Sequence, residues 1–257
     1  FLHNFTSGLN ANNIVPIGKN TFLGESSGNL TMGATATDPL QSSYNTGVGA
    51  DTFQNNTTGY FNVAIGYQAL FSNTSGVINT AIGGGAVSFN TTGGSNVGIG
   101  TSALRANTSG SDNTAIGTTA LIHLNTGSKN TALGSTAGRW LSDGVTQNSN
   151  TIESIYIGYG SKSNSNATTN QIVIGTNAVG AGTNSVTLGN TQITKTILRG
   201  NVETNGTLRT GTDINPASSA NVGAIRYRKI GNSSVCEMSM QTGESTFEWV
   251  EIKKNTW

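Results

Sequence analysis

Short apolar segments closed by glycine recur along this chain at a constant interval. Asn62-Val-Ala-Ile-Gly66, Asn79-Thr-Ala-Ile-Gly83, Asn96-Val-Gly-Ile-Gly100, Asn113-Thr-Ala-Ile-Gly117 and Asn130-Thr-Ala-Leu-Gly134 place a glycine every 17 residues, the mark of an internal array. Looser copies lie upstream at Asn20-Thr-Phe-Leu-Gly24 and Asn45-Thr-Gly-Val-Gly49. Others lie downstream at Ile155-Tyr-Ile-Gly158, Ile172-Val-Ile-Gly175 and Val186-Thr-Leu-Gly189, which makes ten coils. The second half of the unit is as regular, with Ala69-Leu70, Ala86-Val87, Ala103-Leu104 and Ala120-Leu121, and with turn glycines at 59, 76, 93, 110 and 127. The pattern predicts two strands and two turns per coil. Seventeen residues are too few for the helix pairs of TPR or ankyrin arrays, and β-branched, Gly-bounded segments favour strands.

Stacking such coils sets Ile65, Ile82, Ile99 and Ile116 above one another, with Leu133 in the same place of the next unit. The expectation is a core in the form of a column, in which each coil buries its apolar residue against its neighbours. Glycine after the apolar residue allows positive φ or close backbone approach, and alanine at the next inward position suits a cramped interior. The column Asn45, Asn62, Asn79, Asn96, Asn113 and Asn130 is placed to form a side-chain amide ladder. At about 4.8 Å per strand, ten coils give a rod of roughly 50 Å. Two intervals are longer, 25 residues from Gly24 to Gly49 and 24 from Gly134 to Gly158. An insertion in a stack has to leave as a loop, so Arg139 and Trp140, which open the second excursion, are expected either in a contact loop or packed against a neighbouring chain.

Composition narrows the picture. Hydrophobic residues make up 34% and charged residues 10% of the 257 positions, with 35 glycines, below the usual shares for a domain with a large conventional core. Such a mix also occurs in disordered chains, but a regular repeat argues for short strands. The net charge is +1 and the longest basic cluster is Arg226, Arg228 and Lys229, so no nucleic-acid or anionic-membrane partner is expected. A single Cys236 excludes an internal disulfide framework and a Cys-built zinc site. No apolar run approaches the roughly 20 residues of a membrane span, so no membrane insertion is expected. The opening Phe1-Leu2-His3-Asn4 has neither an initiator Met nor a signal-like order and reads as a chain that begins mid-protein.

Chemistry finds little purchase. The lone His3 and His123 form no triad or metal cluster, and the carboxylates are too scattered to nominate a glycosidase pair. The glycine motifs lack the Asp of calcium-binding nonapeptide repeats. A threonine face for ice is broken by Val63 and Val97 among Thr80, Thr114 and Thr131. Sequons such as Asn56-Thr-Thr58 and Asn73-Thr-Ser75 follow from turn chemistry. The expectation is a protein that is not an enzyme, with no cofactor and no metal.

The unit Asn-x-Ala-Ile-Gly-x-x-Ala-Leu resembles the head repeat of trimeric autotransporter adhesins and the related arrays of phage tail fibres, over about residues 14–190. The resemblance implies an all-β fold, a trimeric left-handed parallel β-roll of about ten coils. The segment from Leu188 to Val202 is similar to the one that closes such arrays in tail fibres. The stretches Gly223–Tyr227 and Met238–Ile252 alternate like strands of a small β-domain and resemble fibre-tip domains. The implied organisation is an N-terminal connector (1–13), the roll (14–190), a neck (191–216) and a C-terminal β tip (217–257). On this reading the chain is a structural and receptor-binding tail fibre on the virion tail, extracellular and homotrimeric. It would join other virion tail proteins through its N-terminal side and a host cell-surface glycan or protein through its tip, with Tyr227, Phe247, Trp249 and Trp257 as contact candidates beside Arg139 and Trp140. The other reading of the four tip aromatics, and the stronger one for Phe247 and Trp249, is the small domain's own core. The alternatives are a bacterial surface adhesin head, which a downstream stalk and barrel would favour, and a polysaccharide-degrading spike, which inter-chain carboxylate pairs would favour.

Overall fold

The structure, a computed structural model, describes residues 12–13, 17–29, 31–199, 225–230, 233–241 and 246–255. The chain divides into two units, Phe1–Lys195 and Thr196–Trp257. All regular structure among the described residues is β, with no helix.

In the first unit ten short strands pair in chain order into one parallel sheet, forming a β-solenoid. They are β1 (Thr21–Leu23), β2 (Thr46–Val48), β3 (Val63–Ile65), β4 (Thr80–Ile82), β5 (Val97–Ile99), β6 (Thr114–Ile116), β7 (Thr131–Leu133), β8 (Ile155–Ile157), β9 (Gln171–Ile174) and β10 (Ser185–Leu188). Register follows the repeat without slippage: Val63 faces Thr80, Ala64 faces Ala81 and Ile65 faces Ile82, and the same holds on through β7.

Two expectations are corrected. The isoleucine column does not form the core. A three-residue strand sends its first and third side chains to one side and its second to the other, and here the second points inward. Ala64, Ala81, Ala115 and Ala132 are fully buried, whereas Ile65, Ile116 and Leu133 are 39%, 38% and 48% exposed. The interior is instead filled from the opposite wall by Leu70, Val87, Leu104 and Leu121, all fully buried. The cross-section has room for one large aliphatic residue per turn, and the alanine opposite leaves that room.

The second expected strand is also absent, so each turn has one strand rather than two. Three places per turn adopt the left-handed conformation, mostly at non-glycine residues, for example Ser102 (φ 56°), Leu104 (φ 52°) and Asp112 (φ 60°). Each such residue bends an otherwise extended chain, so the second limb is a series of corners. Backbone bonds still tie it to the next turn, as in Leu104 N to Ala120 O at 3.0 Å and Ala106 N to Ile122 O at 3.0 Å. Left-handed residues cost about 1–2 kcal/mol each, and the bonds on both sides hold them there.

Glycine is required where strand ends stack. Gly66, Gly83, Gly100 and Gly117 have φ between 124° and 134°, and a Cβ on Gly83 would lie 2.7 Å from the carbonyl carbon and oxygen of Gly100.

The asparagine column forms the expected ladder. Along it each side-chain amide donates to the Oδ1 one turn earlier, at 3.0 Å from Asn62 to Asn45, 3.2 Å from Asn79 to Asn62, 3.1 Å from Asn96 to Asn79 and 3.0 Å from both Asn113 to Asn96 and Asn130 to Asn113. A second ladder, Asn56, Asn73, Asn90 and Asn107, runs beside it with amide-to-Oδ1 distances of 2.7–2.9 Å. The two ladders converge on the turn glycines. Gly76 O accepts from Asn62 at 2.9 Å and from Asn73 at 3.0 Å, and Gly93 O from Asn79 and Asn90 at 2.9 Å each. The buried amides are thus satisfied by their copies one turn away and by the turn-glycine carbonyls.

In the second unit β11 (Ile225–Ile230), β12 (Ser233–Gln241) and β13 (Phe247–Asn255) form an antiparallel sheet with an irregularity at Cys236/Glu237. Most of the expected connector and neck lies outside the described residues.

Candidate functional site

Three surface features of the roll arise directly from the repeat. The first is the outer face of the ten-stranded sheet. Its outward rows are Leu23, Val48, Ile65, Ile82, Ile99, Ile116, Leu133, Ile157, Ile174 and Leu188 on one side of the inward residue, and on the other a mixed row of Thr and Val that turns to Ile155, Ile172 and Val186 at the C-terminal end. One row is therefore aliphatic at all ten rungs, with Leu23 59% and Leu188 52% exposed at its ends.

The second is the corner just before each asparagine. Its left-handed residues run Lys19, Tyr44, Phe61, Ile78, Ser95, Asp112, Lys129 and Glu153. Tyr44 stacks on Phe61 at 5.1 Å, the Lys19 ammonium lies 5.7 Å from the Tyr44 ring, and Lys129 pairs with Glu153 at 3.1 Å. That ion pair is exposed on both sides and contributes little.

The third is the corner after the Leu70-type position, where the long excursion begins. Residues 139–148 fold as a small hairpin: Trp140 bridges Gln147, and Leu141 N donates to Thr146 O at 2.8 Å. At its tip Asp143 Oδ1 accepts from the backbone N–H groups of Val145 at 2.9 Å and Thr146 at 2.8 Å, and Oδ2 accepts from the Thr146 hydroxyl. The Thr146 side chain first, then these backbone donors, hold the Asp143 carboxyl below its ordinary value. At the hairpin base the Arg139 guanidinium lies 4.4 Å from the Trp140 ring centre, and the His123 ring from the turn before lies 4.9 Å from it. Arg139 Nη1 reaches Thr119 Oγ1 at 3.4 Å. Burial first, and the Arg139 charge second, hold the His123 imidazole below its ordinary value. His123 Nε2 and Arg139 Nε are both buried without a hydrogen-bond partner.

No family model, curated protein or solved structure matches the chain.

The sequence-nominated contact residues fall in different places. Arg139 and Trp140 meet at the hairpin base, with His123 beside them. Tyr227 lies on β11 opposite Cys236; Phe247 and Trp249 lie on β13 opposite Gln241 and Ser239. Trp257 lies outside the described residues. Among the described residues no group of three or more His, Cys, Asp or Glu could hold a metal ion, and no helix is long and apolar enough to cross a membrane. Sequence reasoning set His123 aside as a lone histidine, and its proximity to Trp140 follows from the 17-residue offset between them. The second asparagine ladder was also missed, although its members share that spacing and each of the four stands three residues before a turn glycine.

Proposed function

We propose that this chain is the distal part of a homotrimeric bacteriophage tail fibre, a stiff, non-catalytic roll that carries a host-binding region and sits on the virion tail. The observation that carries the reading is the outward aliphatic row at all ten rungs of the sheet. A soluble protein rarely leaves so long an apolar row uncovered, and every copy of the chain presents the same row. Three copies set about one axis, row against row, would cover it along its whole length. The repeat unit's resemblance to trimeric fibre arrays supports three copies rather than two, and a left-handed winding. In such a fibre the asparagine ladders and glycine contacts supply stiffness, and several identical binding regions per particle convert weak contacts into firm attachment.

Light scattering on the purified chain tests this. A mass near three times 26.4 kDa is the expected result. A folded monomer would sink the reading, and a dimer would keep the covered row but remove the fibre geometry. Ile99→Asp on the outer row is expected to shift the mass toward the monomer.

A further inference from the structure

Along the corner that carries the hairpin, successive turns place Phe71-Ser72, Ser88-Phe89, Arg105-Ala106, Ile122-His123 and Arg139-Trp140 at equivalent positions. Backbone bonds of Ser72 N to Ser88 O (2.9 Å), Phe89 N to Arg105 O (3.0 Å) and Ala106 N to Ile122 O (3.0 Å) set this register. One row therefore runs Ser72, Phe89, Ala106, His123, Trp140. Ala106 is a small residue between Phe89 and His123, which stand two rungs apart, about 10 Å. A guanidinium flanks each side of this step. Arg105 lies 5.1 Å from the Phe89 ring centre, and Arg139 lies 4.4 Å from that of Trp140. Phe89 is 45% exposed and Arg105 is exposed.

We propose that this Ala106 step is a binding site for an acidic saccharide, a pyranose bearing a carboxylate. The inference rests on the receptor-binding reading above and names the ligand class. Three observations carry it. Phe89 and His123 stand on either side of Ala106 with Arg105 over the Phe89 ring, and aromatic rings accept the C–H face of a pyranose. Arg105 and Arg139 have no carboxylate partner among the described residues, whose one ion pair is Lys129–Glu153 on another corner. A guanidinium with free N–H donors is the group best shaped to take a carboxylate by two parallel bonds. Arg139 Nε and His123 Nε2, of two groups that both pack on the Trp140 ring, are moreover buried without a hydrogen-bond partner, so no acceptor of the protein's own consumes this part of the guanidinium. Two spaced cations on a chain of net charge +1 are too few for a nucleic-acid backbone, whereas one carboxylate per sugar matches them.

The test is calorimetric titration of the full chain with hexagalacturonate, with an α2,8-linked sialic acid oligomer and with the fully methyl-esterified hexagalacturonate. At least one of the two carboxylate oligomers is expected to bind and the ester is not. Arg105→Gln and Arg139→Gln are each expected to weaken binding about tenfold, with Arg139→Lys intermediate and the circular dichroism spectrum unchanged. Because Arg105 is exposed, its variant reads the site even where an Arg139 variant disturbs the hairpin. Failure of both acidic oligomers to bind overturns the proposal, as does an ester that binds equally well or an Arg105→Gln chain of undiminished affinity. A chain that attaches to cells undiminished after both Arg changes would remove this site and leave the receptor role standing. A monomer in light scattering would remove the fibre reading without touching the titration.

Discussion

Between residues 62 and 134 the roll is filled by near-identical turns; between 138 and 173 the same cross-section is filled by different side chains. In the regular turns an inward alanine faces a buried Leu or Val. At β8 the inward residue is Tyr156, fully buried, and the position that would hold leucine one turn earlier is Gly138. A Cβ on Gly138 would come within 3.0 Å of the Tyr156 ring. The same exchange occurs at the other end, where Phe22 is inward and the leucine position is Gly28, with a Cβ there 2.7 Å from the Phe22 ring. Polar filling changes in parallel. Past Asn130 the amide ladder gives way to hydroxyls, with Tyr156 Oη 3.0 Å from Thr151 Oγ1, which is 3.3 Å from Thr168 Oγ1, itself 2.9 Å from Ser163 Oγ. What the turns share is a filled volume and a satisfied set of polar groups, and the residues that meet those demands can be exchanged in pairs.

The glycine contacts are the demand with no substitute. Gly83→Ala puts a Cβ against the backbone of Gly100 at φ +127°, where neither partner can withdraw without lengthening the 2.7 Å bond from Gly100 N to Ile82 O. The expected loss exceeds about 4 kcal/mol, seen as loss of cooperative thermal unfolding; a variant that melts normally would show the stack to be looser than described. The exchanged pair is tested by a cycle. Tyr156→Ala empties the interior and is expected to cost about 3–5 kcal/mol, and Gly138→Leu overfills it at a cost of about 1–3 kcal/mol. Together they recreate the regular turn, so the double variant is expected to be more stable than the sum of the two losses by about 1–3 kcal/mol in denaturant unfolding. Simple additivity would mean that the two sites do not share one space.

The repeat period, the parallel stacking, the first asparagine ladder and the need for Gly66 and its equivalents were all legible in the sequence, because each rests on identity at a fixed spacing. The direction of the isoleucines was not. Ile65 and Ala64 are adjacent on a three-residue strand and must point oppositely, but apolarity alone argues for the larger residue inside. The deciding fact is that Leu70 enters from the far wall, and a pattern along the chain does not show which walls face each other. The missing second strand has a similar cause. Non-glycine residues such as Leu104 sit at positive φ only because neighbouring turns hold them there, and no local preference announces it. At the hairpin base Arg139 and Trp140 were nominated from their place in an insertion; His123 was not, since its role comes from lying one turn beneath.

The ladders separate interior from terminal positions. Asn96 donates to Asn79 Oδ1 at 3.1 Å and Gly110 O at 2.9 Å, and its own Oδ1 accepts from Asn113 N at 3.1 Å and Asn113 Nδ2 at 3.0 Å. Asn107 donates to Asn90 and Gly110, but its Oδ1 has no partner, because the next turn carries buried Leu124 at that position. Asn96→Ala strands buried groups on both neighbours and is expected to cost about 2–4 kcal/mol, against about 1–2 kcal/mol for Asn107→Ala. Equal losses in denaturant unfolding would mean that the ladder acts only through side-chain volume.

The smallest expected effect is a pH dependence confined to the irregular region. Burial and Arg139 hold the folded His123 below its ordinary value of 6.5, whereas the unfolded chain recovers it. As pH falls through 6.5 the unfolded chain therefore takes up the proton first. Stability is complete above that value, declines toward the lower folded value, and levels off beneath it. Nuclear magnetic resonance titration of the His123 ring should give a midpoint below 6.5. Arg139→Gln should raise that midpoint without restoring it, because burial is the larger cause and persists. Full restoration would place the cause in the guanidinium alone and would mean that the imidazole is better solvated against Trp140 than its packing in the roll implies.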